Sequence, residues 1–256
     1  MFVRLSVIAA LALGLGCKDR SPALDLSSVD RSDGEIPELS LVKADQAPTI
    51  DGELGDPVWA KAVGTGPFVS AVDGKPVPRS RVNGEAKLSW DERALYIAVT
   101  VYDPEPATAF SRDEIDPHIW SKASGIEVML QPGQRNDNRD YFEIQIDVGE
   151  AVWDTRFDDY NRPISGPKDA RRFGHQDWQG QVDRRVKIHQ GSHYVVEAAL
   201  PWEAFESAGA KRPKAGESWR LNLYSFRDGQ RDSLAWSPIL GKGNFHRSSR
   251  FGRIRF

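Results

Sequence analysis

"ALYIAVTVYD", residues Ala94–Asp103, alternates without a break. Leu95, Ile97, Val99 and Val101 fall on one side, and Tyr96, Ala98, Thr100 and Tyr102 on the other. Successive side chains leave a pleated backbone in opposite directions, so a period of two predicts a strand with one buried and one wetter face. "GIEVMLQ" sets Ile126, Val128 and Leu130 against Glu127, Met129 and Gln131. "YFEIQID" sets Phe142, Ile144 and Ile146 against Tyr141, Glu143, Gln145 and Asp147. "SWRLNLYSF" sets Trp219, Leu221 and Leu223 against Arg220, Asn222 and Tyr224. "HYVVEAAL" and "RVNGEAKLSW" are further strands, and "WDER", "QPGQRNDNRD" and "HQGSH" are the turns between such runs.

Only "PWEAFESAG", Pro201 to Gly209, reads as a helix, with proline at its start and glycine at its end. Strands do not alternate with long helices, which argues against a parallel sheet. The expectation is all-β: a single antiparallel β-sandwich with one short helix, over residues 38–256.

The chain has 256 residues, 39% hydrophobic and 28% charged, enough apolar material for a sizeable core. Net charge is −3, without the basic surplus that a nucleic-acid partner requires. The basic run in "DARRF" (Asp169–Phe173) reads as a solvated loop. The one cysteine, Cys17, ends "MFVRLSVIAALALGLGC", which has a positive Arg4, an apolar stretch and a small residue before the cysteine. Residues 1–17 therefore read as an export signal, too short to span a bilayer comfortably. The end of that segment resembles a bacterial lipobox, which makes Cys17 the expected lipid attachment site; secretion with nearby cleavage is the alternative. The expected location is the cell envelope. Residues 18–37 are polar and lack a sustained period, as a flexible tether would.

Glu127, Glu143, Gln145, Asp147, Arg220, Asn222 and Tyr224 are expected to share a sheet face. Carboxylates, amides and aromatics together suit a hydroxyl-rich ligand; by periodicity alone, a solvated sheet face is the favoured reading.

"PTIDGELGDPVWAKA", "LSWDERALYIAVTVYDPE", "GIEVML", "YFEIQIDVGEAVWD", "YVVEAALPWEAF" and "FHRSSRFGRIRF" occur in the order found in family 9 carbohydrate-binding modules. The chain resembles that family from Glu38 to Phe256. The resemblance implies a jelly-roll-like sandwich that binds an oligo- or polysaccharide of xylan or cellulose type, often beside a glycoside hydrolase. It implies two aromatic side chains flanking a sugar and polar groups on its hydroxyls. Trp120 and Phe245 take the aromatic positions, Phe245 where a tryptophan is usual. Glu127 matches the family's glutamate, and Gln145 stands where the family has arginine. Asn222 joins the polar floor and Trp153 is a candidate rim residue. The resemblance makes Trp59 structural, closing the end of the core; Trp90, Trp202 and Trp219 read as core, and Trp178 and Trp236 fit either role. It allows a structural calcium ion and no other cofactor.

Two flanking rings would bury on the order of 100 Å² of a sugar, worth roughly 2–3 kcal/mol. Millimolar affinity needs about 4 kcal/mol, so the polar groups select the sugar and complete its binding. Two other readings stand beside this one. Glu127 and Glu143 could be the paired carboxyl groups of a glycoside hydrolase, about 5–5.5 Å apart for retention or 6.5–9.5 Å for inversion. A b-type haem would draw on Met129, His118 and His246.

Overall fold

The computed structural model describes residues 29–77, 82–164, 173–228 and 231–256. Cys17, the export signal, residues 18–28 of the tether and most of "DARRF" lie outside the described residues.

Two sheets face each other. The first runs β1 (Glu38–Ser40), β14 (Gly252–Arg255), β12 (Ser218–Arg227), β7 (Gly125–Gln131), β8 (Arg139–Asp147) and β9 (Val152–Asp159), with β13 (Arg231–Ala235) on β12 and β4 (Val69–Ser70) on β13. The second runs β10 (Asp183–His189), β11 (His193–Pro201), β6 (Ala94–Tyr102), β5 (Asn83–Trp90) and β2 (Val42–Lys43), with β3 (Val63–Pro67) on β5. The sandwich is antiparallel except at two short edge contacts: β1 runs parallel to β14 and β2 to β5. Both arise because the entering chain passes along the first sheet and then the second before its first long strand.

The alternation becomes the core as read. Leu95, Ile97, Val99 and Val101 pack with Ile126, Val128 and Leu130, with Phe142, Ile144 and Ile146, and with Trp219, Leu221 and Leu223. Trp90, Trp178, Trp202 and Trp236 join the same cluster. Trp236 lies over Gly252, where an added Cβ would overlap its ring, 2.7 Å from Cη2. Neither the strand nor the buried indole can retreat, so Gly252→Ala is expected to cost roughly 1–3 kcal/mol by denaturant titration.

The expected wet faces are buried instead, because short helices and loops cover both sheets from outside. On the second sheet the cover is α1 (Pro57–Lys61), whose Val58 and Trp59 pack on Ala94, Tyr96 and Ala98. Trp59 is fully buried and its Nε1 donates to Glu197 Oε1 at 2.7 Å. Glu197 Oε2 accepts the backbone amides of Asp51 and Gly52 at 2.9 and 2.8 Å. The turn at Gly52 has φ +84°, which glycine adopts without strain. One carboxylate thus fixes both the turn and the tryptophan.

On the first sheet the cover is α2 (Ile119–Lys122) and the segment from Ile239 to Phe251. The helix read from sequence is α3 (Trp202–Ser207). Residues 29–37 lie on the sandwich rather than free in solvent, which corrects that part of the expected tether. The Arg31 backbone amide donates to Gly74, and its guanidinium donates to the carbonyls of Pro67 and Thr65. Arg250 donates to Gly34 O at 2.7 Å.

Candidate functional site

Strand register assembles the site on the outer face of the first sheet. Tyr224 on β12 is the Cα partner of Glu127 on β7, Glu127 of Gln145 on β8, and Gln145 of Trp153 on β9. The four form one row across four strands, about 14 Å long at about 4.8 Å per strand. The next row reads Asn222, Met129, Glu143 and Thr155.

Each end of the first row is aromatic and backed by a second ring. Phe245 stacks on Tyr224 at 3.9 Å with the rings 2° from parallel, and the Tyr224 hydroxyl donates to the Phe245 carbonyl. Trp120 meets Trp153 edge to face at 5.1 Å. Trp120 is partly exposed, packs on the cluster of this face, and stacks on the exposed His118 ring. Phe245 is buried, with a face spent on Tyr224.

Between the aromatic ends lies a polar floor. Gln145 Nε2 donates to Glu127 Oε2 and to Glu143 Oε1, each at 2.8 Å. Glu127 Oε1, Glu143 Oε2, Gln145 Oε1, Trp153 Nε1 and Thr155 Oγ1 are buried without a hydrogen-bond partner among the described residues. Burial disfavours the charged form of both acids. Glu143 is pushed up to about 8, and Glu127 is raised well above the usual range by burial and by the neighbouring Glu143. Gln145 bridges the two buried acids, and the burial they share favours the protonated form of the pair.

His246 closes one side. Its Nδ1 faces the Tyr141 hydroxyl at 2.7 Å, its Nε2 lies 3.6 Å from Glu143, and its ring stacks on Tyr160 at 3.8 Å. Burial lowers its pKa to about 3, so the ring is neutral across the physiological range.

Three residues of the sequence-derived face hold neighbouring segments. Asn222 Oδ1 accepts the amides of Leu223 and Ser237, and its Nδ2 donates to the Ser237 carbonyl, so it pins the neighbouring segment. Asp147 accepts the Thr108 hydroxyl and the amides of Gly149 and Ala151, so it holds the turn between β8 and β9. Arg220 is likewise spent on the carbonyls of Gln134 and Phe251. Sequence reasoning missed Tyr160 and Thr155 as members of this face. Thr155 lies two residues beyond Trp153 on the same face of β9, a period-two pattern (Trp153, Thr155, Phe157) that could have found it.

Glu127 and Glu143 share Gln145 Nε2 as a donor, so an amide stands between the two carboxyl groups that the hydrolase reading would pair. Of the haem candidates, His246 has Nδ1 on the Tyr141 hydroxyl and His118 stacks on Trp120. For the calcium ion that the resemblance allows, no group of three or more His, Cys, Asp or Glu side chains converges among the described residues, and none is assigned to it.

A two-sheet sandwich with an aromatic-ended polar row on one face belongs to the class of β-sandwich modules. The chain is a member of the family described as "Carbohydrate family 9 binding domain-like", whose model matches residues 50–256. Among curated proteins it is 27% identical over 208 residues to Endo-1,4-beta-xylanase C of Paenibacillus barcinonensis, covering 81% of this chain and 16% of the relative. It is 25% identical over 157 residues to Exoglucanase XynX of Acetivibrio thermocellus, covering 60% of this chain and 12% of that protein. The chain thus spans under a fifth of either relative.

Solved structures share its fold. A family 9 carbohydrate-binding module from Caldicellulosiruptor kristjanssonii in complex with cellotriose aligns with TM-score 0.57 and 19% identity, over 86% of this chain and 92% of that one. The module from the same organism with glucose gives 0.55 and 19%, over 85% and 94%. A putative carbohydrate-binding protein from Bacteroides uniformis ATCC 8492 gives 0.61 and 16%, over 87% and 100%.

Proposed function

We propose that the chain binds carbohydrate on the row from Tyr224 to Trp153, as a non-catalytic module. The observation that carries this is the convergence of buried, partnerless polar atoms from Glu127, Glu143, Gln145 and Trp153 beside the partly exposed Trp120. A sugar offers the hydroxyls that such atoms lack and a C–H face that an indole can cover. The relatives bound to cellotriose and glucose make β-glucans the first ligands to test. The xylanase and exoglucanase relatives support a role beside a separate glycoside hydrolase.

Calorimetry of residues 29–256 with glucose and cellotriose tests the reading. Trp120→Ala is expected to weaken binding by roughly 1–2 kcal/mol, about tenfold, through loss of one stacking surface. A parent protein that binds no member of a neutral glycan panel would overturn the proposal.

The module's place is the cell envelope, with Cys17 as lipid anchor. The support is the lone cysteine closing an export-signal pattern. Cys17→Ser is expected to move the protein from the membrane to the soluble fraction; identical fractionation of both forms would refute the anchor.

A further inference from the structure

The turn "HQGSH" sets its two histidines side by side. Strand β10 ends at His189 and β11 begins at His193, and the two are Cα partners in the antiparallel register. Gln190, Gly191 and Ser192 form the loop between them. Gly191 has φ +71°, and the Ser192 amide donates to the His189 carbonyl at 3.0 Å, so the hairpin closes without strain. Directly opposed side chains on such a pair stand about 5 Å apart at Cβ. The two imidazole rings lie 4.2 Å apart and 13° from parallel.

Both rings can be reached from solvent. Each histidine is partly exposed, the loop joining them is exposed, and β10 is the outermost strand on its side of the second sheet among the described residues. Tyr194, Val196 and Ala198 point into the core, so His193 and its partner His189 share the outer face with Glu197. On the β6 side His193 meets the Tyr102 ring at 5.8 Å, and the Tyr102 hydroxyl donates to Glu85. The Ser192 hydroxyl lies 2.9 Å from His193 Nδ1. By accepting an Nδ1 proton it fixes the tautomer whose Nε2 lone pair is free to bind. No third His, Cys, Asp or Glu side chain makes a larger group with the pair among the described residues.

We propose that His189 and His193 together chelate a late first-row divalent ion: Cu²⁺, Ni²⁺ or Zn²⁺. Neutral imidazole is the nitrogen donor that suits these ions. Ca²⁺ and Mg²⁺ call for several oxygen donors instead, and the carboxylates on this face have other partners: Glu85 holds Tyr102 and Glu53 holds Lys187. The register keeps the second ring within reach once the first has bound, so little further freedom is lost on chelation. Rotation about χ2, a broad torsion in histidine, turns both ring edges toward one ion without moving the strands. Two protein donors leave the other coordination positions to solvent, so the ion exchanges readily and stays open to a further donor. The Irving–Williams order places Cu²⁺ above Ni²⁺ and Zn²⁺ in affinity. The site lies on the outer face of the second sheet and draws nothing from the carbohydrate reading.

The test titrates the chlorides of Cu²⁺, Ni²⁺, Zn²⁺ and Ca²⁺ into the full chain by calorimetry, at about pH 7.5, where imidazole is largely neutral. The chain carries Cys17→Ser so that no thiol competes for the metal. His118 and His175 are present in every form, so their background is common to all. His189→Asn and His193→Asn should each weaken Ni²⁺ binding roughly tenfold or more. The double variant should lose little beyond either single one, because losing one ring already ends the chelate. Zn²⁺ should raise the denaturant midpoint of the parent and not of the double variant. Without metal the midpoints should agree, as for ordinary surface substitutions, which separates lost binding from lost folding. The proposal is overturned if the parent binds the three ions no more tightly than the double variant. It is overturned too if either single variant binds like the parent, since the other ring would then be a lone ligand. Ca²⁺ binding that depends equally on the two histidines would overturn the choice of ion.

Discussion

Trp59→Ala is expected to lower stability by about 3–5 kcal/mol, the range for removing a large buried aromatic. The indole is fully buried between α1 and the second sheet, so truncation leaves a cavity under Ala94, Tyr96 and Ala98. It also removes a 2.7 Å donor from Glu197, a buried carboxylate that then holds only the Asp51 and Gly52 amides. Trp59→Phe keeps most of the apolar volume and loses that donor, so it should cost less, about 1–3 kcal/mol. Denaturant titration of both variants separates cavity from hydrogen bond. Sugar binding by the remaining folded fraction should be unchanged, because the whole sandwich lies between Trp59 and the Tyr224–Trp153 row. A folded Trp59→Ala protein that no longer binds would assign the ligand to the wrong face.

The second large effect is one of pH. Glu143 has a folded pKa of about 8 against an ordinary 4.5. A raised acid contributes stability that is fully present below 4.5 and lost as pH rises through 8. His246 works in the opposite sense: lowered from 6.5 to about 3, it contributes stability above 6.5 that is lost as pH falls toward 3. Between 4.5 and 6.5 the two slopes oppose. Above 6.5 the His246 slope is gone; Glu143 should lower stability by roughly 2 kcal/mol by pH 8, one proton over about 1.5 pH units, and the raised Glu127 acts in the same direction. Glu143→Gln should flatten that decline, since it removes one carboxyl and the charge that helps raise Glu127. Denaturant midpoints at pH 6.5, 7.25 and 8 (roughly evenly spaced across the window) check it. A parent protein equally stable at all three would mean the carboxyl pair ionises freely in the folded state.

What the sequence revealed and what it hid divide along one physical line. Strands β6, β7, β8 and β12 were legible because their inward residues repeat every second position, and α3 because proline and glycine bracket it. Helices α1 and α2 have five and four residues, too few for a helical period to register. Burial of the polar face was hidden because its cover comes from residues distant in the chain. Asn222 and Asp147 point outward as expected. Their partners, Ser237 and Thr108, lie 15 and 39 residues away, and no local pattern announces such ties. The Glu127–Gln145 pair was readable because resemblance supplied the strands' adjacency and alternation supplied the face.

The Arg31 contacts have a mechanical consequence. Under the anchoring proposed for Cys17, drag on a captured polysaccharide would pull the domain away from its N-terminal segment. The load would meet the three Arg31 hydrogen bonds, to Gly74, Pro67 and Thr65, before it reached β1. Those bonds can break and re-form while the sandwich stays intact. Parting of the Arg31 bonds would free the chain only as far as Gly34, whose carbonyl Arg250 still holds ahead of β1.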